Sequence, residues 1–189
     1  MNIYFKDQNK NFENQLNSLK KRGICRFNPA QLIEKVTTTT ILTSKKLSEL
    51  PLTFFFEYNI FPDYIMSSFC QWAVEKRHMA IGDTILQQVF IPPFKPFSLK
   101  LIIGVRISNI IDEPKRLGFS YETLEGHIEK GSSDFIIEER NDAITFNIHT
   151  FSKPQNACLN LLRSVISIPY QHFCTHEALC KVRKQLEGL

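Results

Sequence analysis

The sequence predicts an α+β fold: a curved antiparallel sheet wrapped around a long C-terminal helix. Three observations predict it. Five strand-like runs follow one another between residues 84 and 152, separated by turn-forming breakers. A helical stripe precedes them, and a longer one closes the chain. The length of 189 residues, with 43% hydrophobic and 22% charged, suits one complete core and is too short for two comfortable ones.

Residues 1–49 read as an N-terminal leader of short helices and one strand, partly flexible, with Pro51 marking the boundary to a main domain over 50–189. Phe12, Leu16 and Leu19 have helical spacing. Asn28-Pro29 forms an N-cap and first-turn proline for a short helix carrying Leu32, Ile33 and Val36. The β-branched run TTTTILT reads as a strand. In LTFFFEYN the alternation sets Leu52, Phe54, Phe56 and Tyr58 on one face of a strand. Asp63 caps a helix striped by Ile65, Phe69, Trp72 and Ala73, which Gly82-Asp83 ends.

The five strands fall at roughly 84–91, 97–111, 116–124, 133–140 and 143–152, broken by PPFKP, DEP, EGH and RND. In the longest, Leu99, Leu101, Ile103, Val105 and Ile107 point inward and Lys100, Arg106 and Ser108 outward, with Gly104 as the place to bend. A helix from about Pro154 to Leu186 follows, kinked or split at Pro169. Its stripe is Leu161, Leu162, Val165 and Ile168, then Phe173, Leu179 and Leu186.

Composition narrows the function. A net charge of +4 with short, scattered basic clusters, and no zinc-finger or RNP-type spacing, argues against nucleic-acid binding. No apolar run approaches the ~20 residues of a membrane span, and the opening MNIYFKDQNKNFENQ lacks the apolar core of a signal peptide. Five irregularly spaced cysteines fit free thiols in a reducing cytoplasm. Sixteen phenylalanines against one tryptophan suit a wide interior or an apolar cavity.

The order of elements resembles the helix-grip fold of the START and Bet v 1-like superfamily, in which a bent sheet grips a C-terminal helix around a cavity. The segment IIDEPKRLGFSYETLEGHIEKGSSDF resembles the signature of uncharacterised protein family 0548, a family of bacteria and plants. The matching positions are Asp112-Glu113-Pro114, Gly118-Phe119, Tyr121, Thr123-Leu124, Gly126-His127 and the stretch from Glu129 to Phe135. Phe151-Ser152 with Pro154, and the helix expected around Trp72, extend the likeness over roughly residues 50–187. The resemblance implies a small globular domain with no established activity.

Chemistry-bearing residues are few. Tyr121, on an aromatic strand face, offers a hydroxyl to an interior, and His127 follows it in a turn where an imidazole can exchange protons near neutral pH. Their ordinary roles are a satisfied core tyrosine and a turn histidine beside Gly126. His172, His176 and Cys180 recur one turn apart, but no HExxH glutamate accompanies them, so no metal is expected. No phosphate loop, dinucleotide fingerprint or nucleophile elbow occurs, so no cofactor is expected and no catalytic residue is assigned. The sequence carries no reading of oligomeric state.

The leading expectation is a binding module for a small hydrophobic or lipid-like ligand, lined by Phe54, Phe56, Trp72, Val105, Ile107, Phe119, Tyr121, His127, Phe146 and Ile148. A cyclase or hydrolase of the same superfold, using Tyr121 and His127, is the alternative. A solid-core protein that docks a partner through residues 1–49 is the third.

Overall fold

The computed structural model describes residues 2–95, 97–141, 143–154 and 168–188. It is α+β, with an eight-stranded antiparallel sheet. The strands are β1 (Asn2–Tyr4), β2 (Ile33–Ile41), β3 (Met66–Cys70), β4 (Thr84–Ile91), β5 (Leu99–Glu113), β6 (Arg116–Thr123), β7 (Glu129–Arg140) and β8 (Ala143–Pro154). The helices are α1 (Phe12–Lys20), single turns α2 (Thr53–Phe56) and α3 (Gln71–Val74), and α4 (Ile168–Glu187). Strand order is β2-β8-β7-β6-β5-β4-β3, with β1 paired to β5 off this path. The meander β4 to β8 follows from short turns between alternating runs, which favour antiparallel neighbours.

Strand alternation divides the sheet into two faces. On one, Ile85, Val105, Ile107, Phe119, Phe135, Ile137, Phe146 and Ile148 pack with Phe55, Tyr58 and Trp72 into the main core. Helix α4 adds Ala178, Leu179, Val182 and Leu186 to this core. On the other face α1 buries Phe12, Leu16 and Leu19 against Leu86, Ile102 and Leu124. Arg106 reaches from β5 to the Lys20 carbonyl at 3.0 Å, placing a cation at the α1 C-terminus, where the helix dipole is negative. Residues 1–49 thus supply two strands and one helical layer, and β2 pairs with β8 from Ile33↔Ser152 to Ile41↔Ile144. Among the described residues no helix is long and apolar enough to cross a membrane.

Several expectations need correction. LTFFFEYN is not a strand: Thr53–Phe56 makes a helical turn that buries Phe55 and, three residues on, Tyr58. Three consecutive phenylalanines, Phe54 to Phe56, put an apolar ring in both phases, so periodicity of two carried no information. The expected helix after Asp63 is instead strand β3, paired to β4 as a sheet edge, followed by the single turn of α3. Leu32, Ile33 and Val36 do not continue a helix. The Asn28 cap does accept from the Ala30 amide, but only a 3-10 turn forms before β2 begins.

Lys100 is buried rather than outward, and its ammonium donates to the Ser98 carbonyl at 2.7 Å. The irregularity in β5 falls between Ile107 and Asn109, whereas Gly104 lies beneath Leu19 of α1. Pro154 does not open the last helix; β8 runs to it. Helix α4 is described over Ile168–Glu187, and the part of the expected helix at 155–167, including any kink before Pro169, lies outside the described residues. Leu161, Leu162, Val165 and Cys158 lie outside the described residues.

Candidate functional site

The main core closes tightly under the C-terminal half of α4 and opens under its N-terminal half. The cause is in the helix sequence. Ala178, Leu179, Val182 and Leu186 are apolar and buried, whereas the turns before them present Gln171, Cys174 and Thr175. Those short or polar side chains do not fill the space above the sheet. A hollow of about 370 Å³ remains, with Phe61 in its lining. Lys181, in the C-terminal half of the helix, donates to Asn59 Oδ1 at 2.6 Å and the Phe61 carbonyl at 2.8 Å.

The floor is set by strand register. Tyr121 pairs with Ser133, Ser133 with Thr150, and Thr150 with Lys35, giving one polar row across β6, β7, β8 and β2. The next inward row is Phe119, Phe135, Ile148 and Thr37, largely apolar. Of these, Tyr121, Ser133, Thr150, Lys35, Phe135 and Ile148 line the hollow. Ser133 Oγ donates to Thr150 Oγ1 at 3.3 Å. Burial lowers the Lys35 ammonium below its ordinary value, an effect opposed by the charge of Glu129. Glu129 in turn accepts from the Gln171 side chain, joining the rim of the sheet to α4.

Tyr121 of this floor also meets a second buried phenol. Tyr58, fully enclosed, accepts from Gln87 Nε2 at 2.6 Å, and its ring stands 6.3 Å from that of Tyr121. Burial raises both phenols, so both are protonated hydrogen-bonding groups at neutral pH.

The sequence-predicted residues divide between hollow and core. Tyr121 and Ile148 line the hollow. Trp72, Val105, Ile107, Phe119 and Phe146 are buried in the core, with Phe54 and Phe56 packed against it from α2. His127 follows Gly126 (φ +86°) in the β6–β7 turn, where the Glu129 amide donates to its Nδ1 at 3.0 Å. His149 faces outward, as its phase against Phe146 and Ile148 requires, and meets Glu34 at 2.8 Å. His172 reaches the rim of the hollow, whereas His176 is exposed, 3.8 Å from Cys180. Among the described residues no group of His, Cys, Asp and Glu is arranged to hold a metal ion. Cys25, Cys70, Cys174 and Cys180 are free thiols.

Sequence reasoning missed Ser133, Thr150, Lys35, Glu129 and Gln171. The first two were within reach of it: Ser133 is in phase with Phe135 and Ile137, and Thr150 with Phe146 and Ile148.

Burial drops the His127 pKa from 6.5 to about 4. Above pH ~6.5 the ring is neutral folded and unfolded; as pH falls from there towards ~4, the unfolded chain takes up the proton first and stability is lost. Allowing for partial exposure, wild type is expected to lose about 2 kcal/mol over that window through this group. In urea titrations at pH 7 and pH 4, the stability gap to His127→Gln should therefore shrink by about that amount. A pH-independent gap would show that the imidazole is not held neutral.

Residues 63–180 match the family described as a domain of unknown function, DUF1990. A UPF0548 protein of Deinococcus radiodurans is 30% identical over 90 residues, 47% of this chain and 46% of that protein, so the match spans about half the length of the curated relative. Among solved structures, the solution structure of the KanY protein shares the fold, with 10% identity, a TM-score of 0.56 and coverage of 83% of this chain and 99% of that one. A hypothetical protein of Helicobacter pylori aligns with 8% identity and a TM-score of 0.44 over 88% of this chain and 94% of that one. The expected likeness to family 0548 agrees with the curated relative, and with well over half of its length matched, the chain belongs to the DUF1990 family.

Proposed function

We propose that the protein binds a small molecule with an apolar body and a polar end in the hollow beneath the N-terminal half of α4. One observation carries this reading. A row of hydroxyls and an ammonium (Tyr121, Ser133, Thr150, Lys35) lies beside a row led by Phe135 and Ile148 on the floor of one cavity. Core packing alone gives no reason to turn Lys35 and Thr150 inward, whereas sites for small ligands combine an apolar lining with a few placed polar groups. The ligand's apolar part would lie against Phe61, Phe135 and Ile148, and its carboxylate, hydroxyl or carbonyl against the polar row.

The helix-grip reading supports the same place. In the proposed arrangement the long strand β2 pairs with the last strand, β8, and the sheet returns through consecutive neighbours to β3, with α4 against β2 and β8. The cyclase or hydrolase reading gains nothing from His127, which is absent from the described lining of the hollow and bonded to Glu129. The free thiols suit a reducing compartment, and we take the cytoplasm as the site of action.

Native mass spectrometry of gently purified protein tests the proposal. Wild type should carry a small molecule that Thr150→Phe, which fills the hollow, loses by about tenfold or more while keeping its unfolding temperature within a few degrees. Equal occupancy of wild type and variant would place the ligand elsewhere. No bound molecule, with no thermal shift from fatty acids or aromatic acids, would reject the reading.

A further inference from the structure

The most exposed aromatics gather at one end of the sheet, around the β4–β5 hairpin. Phe94 and Phe97 stand on the β4–β5 hairpin, 65% and 89% exposed, and Phe5 is 84% exposed. Strand pairing places Phe5 beside them: Tyr4 pairs with Lys100, so the next residue falls opposite Leu99 at the foot of that hairpin. The hairpin is tight, with the Phe97 amide donating to the Phe94 carbonyl at 2.9 Å, and Pro92 and Pro93 limit its freedom. Exposed phenylalanines on a stiffened tip gain nothing for folding, since each leaves apolar surface in water.

The charged residues next to the three rings in the chain are basic, although Asp63 lines the same small pocket as Lys95. Lys6 follows Phe5, Lys95 lies between the two hairpin phenylalanines, and both are exposed. The nearby Asp7 is engaged, its carboxylate accepting from the Asn9 amide at 2.9 Å and from Gln88 at 3.4 Å.

We propose that this edge docks on an anionic lipid membrane, with Phe94, Phe97 and Phe5 inserted among the acyl chains and Lys6 and Lys95 at the phosphates. The convex shape and the charge select this occupant. Aromatic side chains protruding from a turn suit a fluid, deformable partner, and lysines flanking them complement an acidic headgroup layer. The net charge of +4 acts in the same direction. The docking edge stands on observations separate from those of the hollow.

Co-sedimentation of the full chain with vesicles tests it. Wild type should pellet with phosphatidylcholine vesicles containing roughly 30% phosphatidylserine, bind phosphatidylcholine alone more weakly, and dissociate as salt rises. The double variant Phe94→Ser, Phe97→Ser should lose binding by about tenfold or more, with its unfolding temperature unchanged because both side chains are exposed. Since Trp72, the single tryptophan, is buried, Phe97→Trp adds an exposed emitter whose fluorescence should shift to the blue with the acidic vesicles. Failure of wild type to pellet, or equal pelleting of the double variant, overturns the proposal. So does a wild-type dimer in light scattering that the double variant abolishes, since a second copy would then occupy the patch.

Discussion

Gly131→Ala is expected to destabilise the protein by ~3–5 kcal/mol, among the largest effects of any single methyl group in this chain. Gly131 sits in β7 with φ +149°, a conformation side chains rarely adopt, and a Cβ there would lie 1.8 Å from the Phe151 carbonyl oxygen of β8. That oxygen belongs to the backbone of the paired strand, so relief requires β7 and β8 to part. Their separation would disturb the Ser133–Thr150 contact two residues further along, and with it the polar floor. The Gly131 amide also donates to Thr123 Oγ1 at 3.1 Å, tying the position to the end of β6. Gly82→Ala is the control. Its φ is +91° but nothing lies within 4 Å of the added carbon, so only conformational strain of ~1 kcal/mol is expected. Urea unfolding of both variants separates clash from strain. If Gly131→Ala is as mild as Gly82→Ala, β7 and β8 do not approach as closely as described.

The close approach at Gly131 illustrates why some of this fold was legible and some was not. Strands β4 to β8 could be read because each is a run of eight or more residues that ends at a turn signal, with alternation added in β5, β6 and β8, all local properties. Helix α1 could be read from the spacing of Phe12, Leu16 and Leu19, all three buried. Strand β3 could not: Ser67-Ser68 interrupts its apolar pattern, and β4 holds it in the sheet. The aromatic run at Phe54–Phe56 offered burial at every position and so fixed no period. At the site, Tyr121 and Ile148 were legible as members of apolar strand faces. Lys35 was not, because its inward orientation depends on β2 meeting β8 more than a hundred residues away. Polar residues in phase with apolar ones, such as Ser133 and Thr150, were the signal available, and alternation rules assign such residues by type rather than by phase.

Phe119→Ala and Phe135→Ala should differ although both rings are fully buried, and the difference probes whether the hollow is open space. Phe119 stacks on Phe135 at 5.2 Å with rings 20° apart, and meets Phe55 at 5.2 Å and Tyr58 at 6.0 Å. It is absent from the described lining of the hollow, so its removal leaves an enclosed void, and a loss of about 4 kcal/mol is expected. Phe135 borders the hollow, and its void would merge with the existing ~370 Å³. Water or a ligand can then occupy part of the space, which reduces the cavity contribution and leaves about 3 kcal/mol. The same change should admit bulkier ligands, seen as thermal stabilisation of Phe135→Ala by molecules too large to stabilise wild type. Urea unfolding gives the ranking, and ligand-induced thermal shifts give the second readout. Should Phe135→Ala prove the more destabilised and gain no new ligands, the space beside Phe135 would be closed core rather than a binding site.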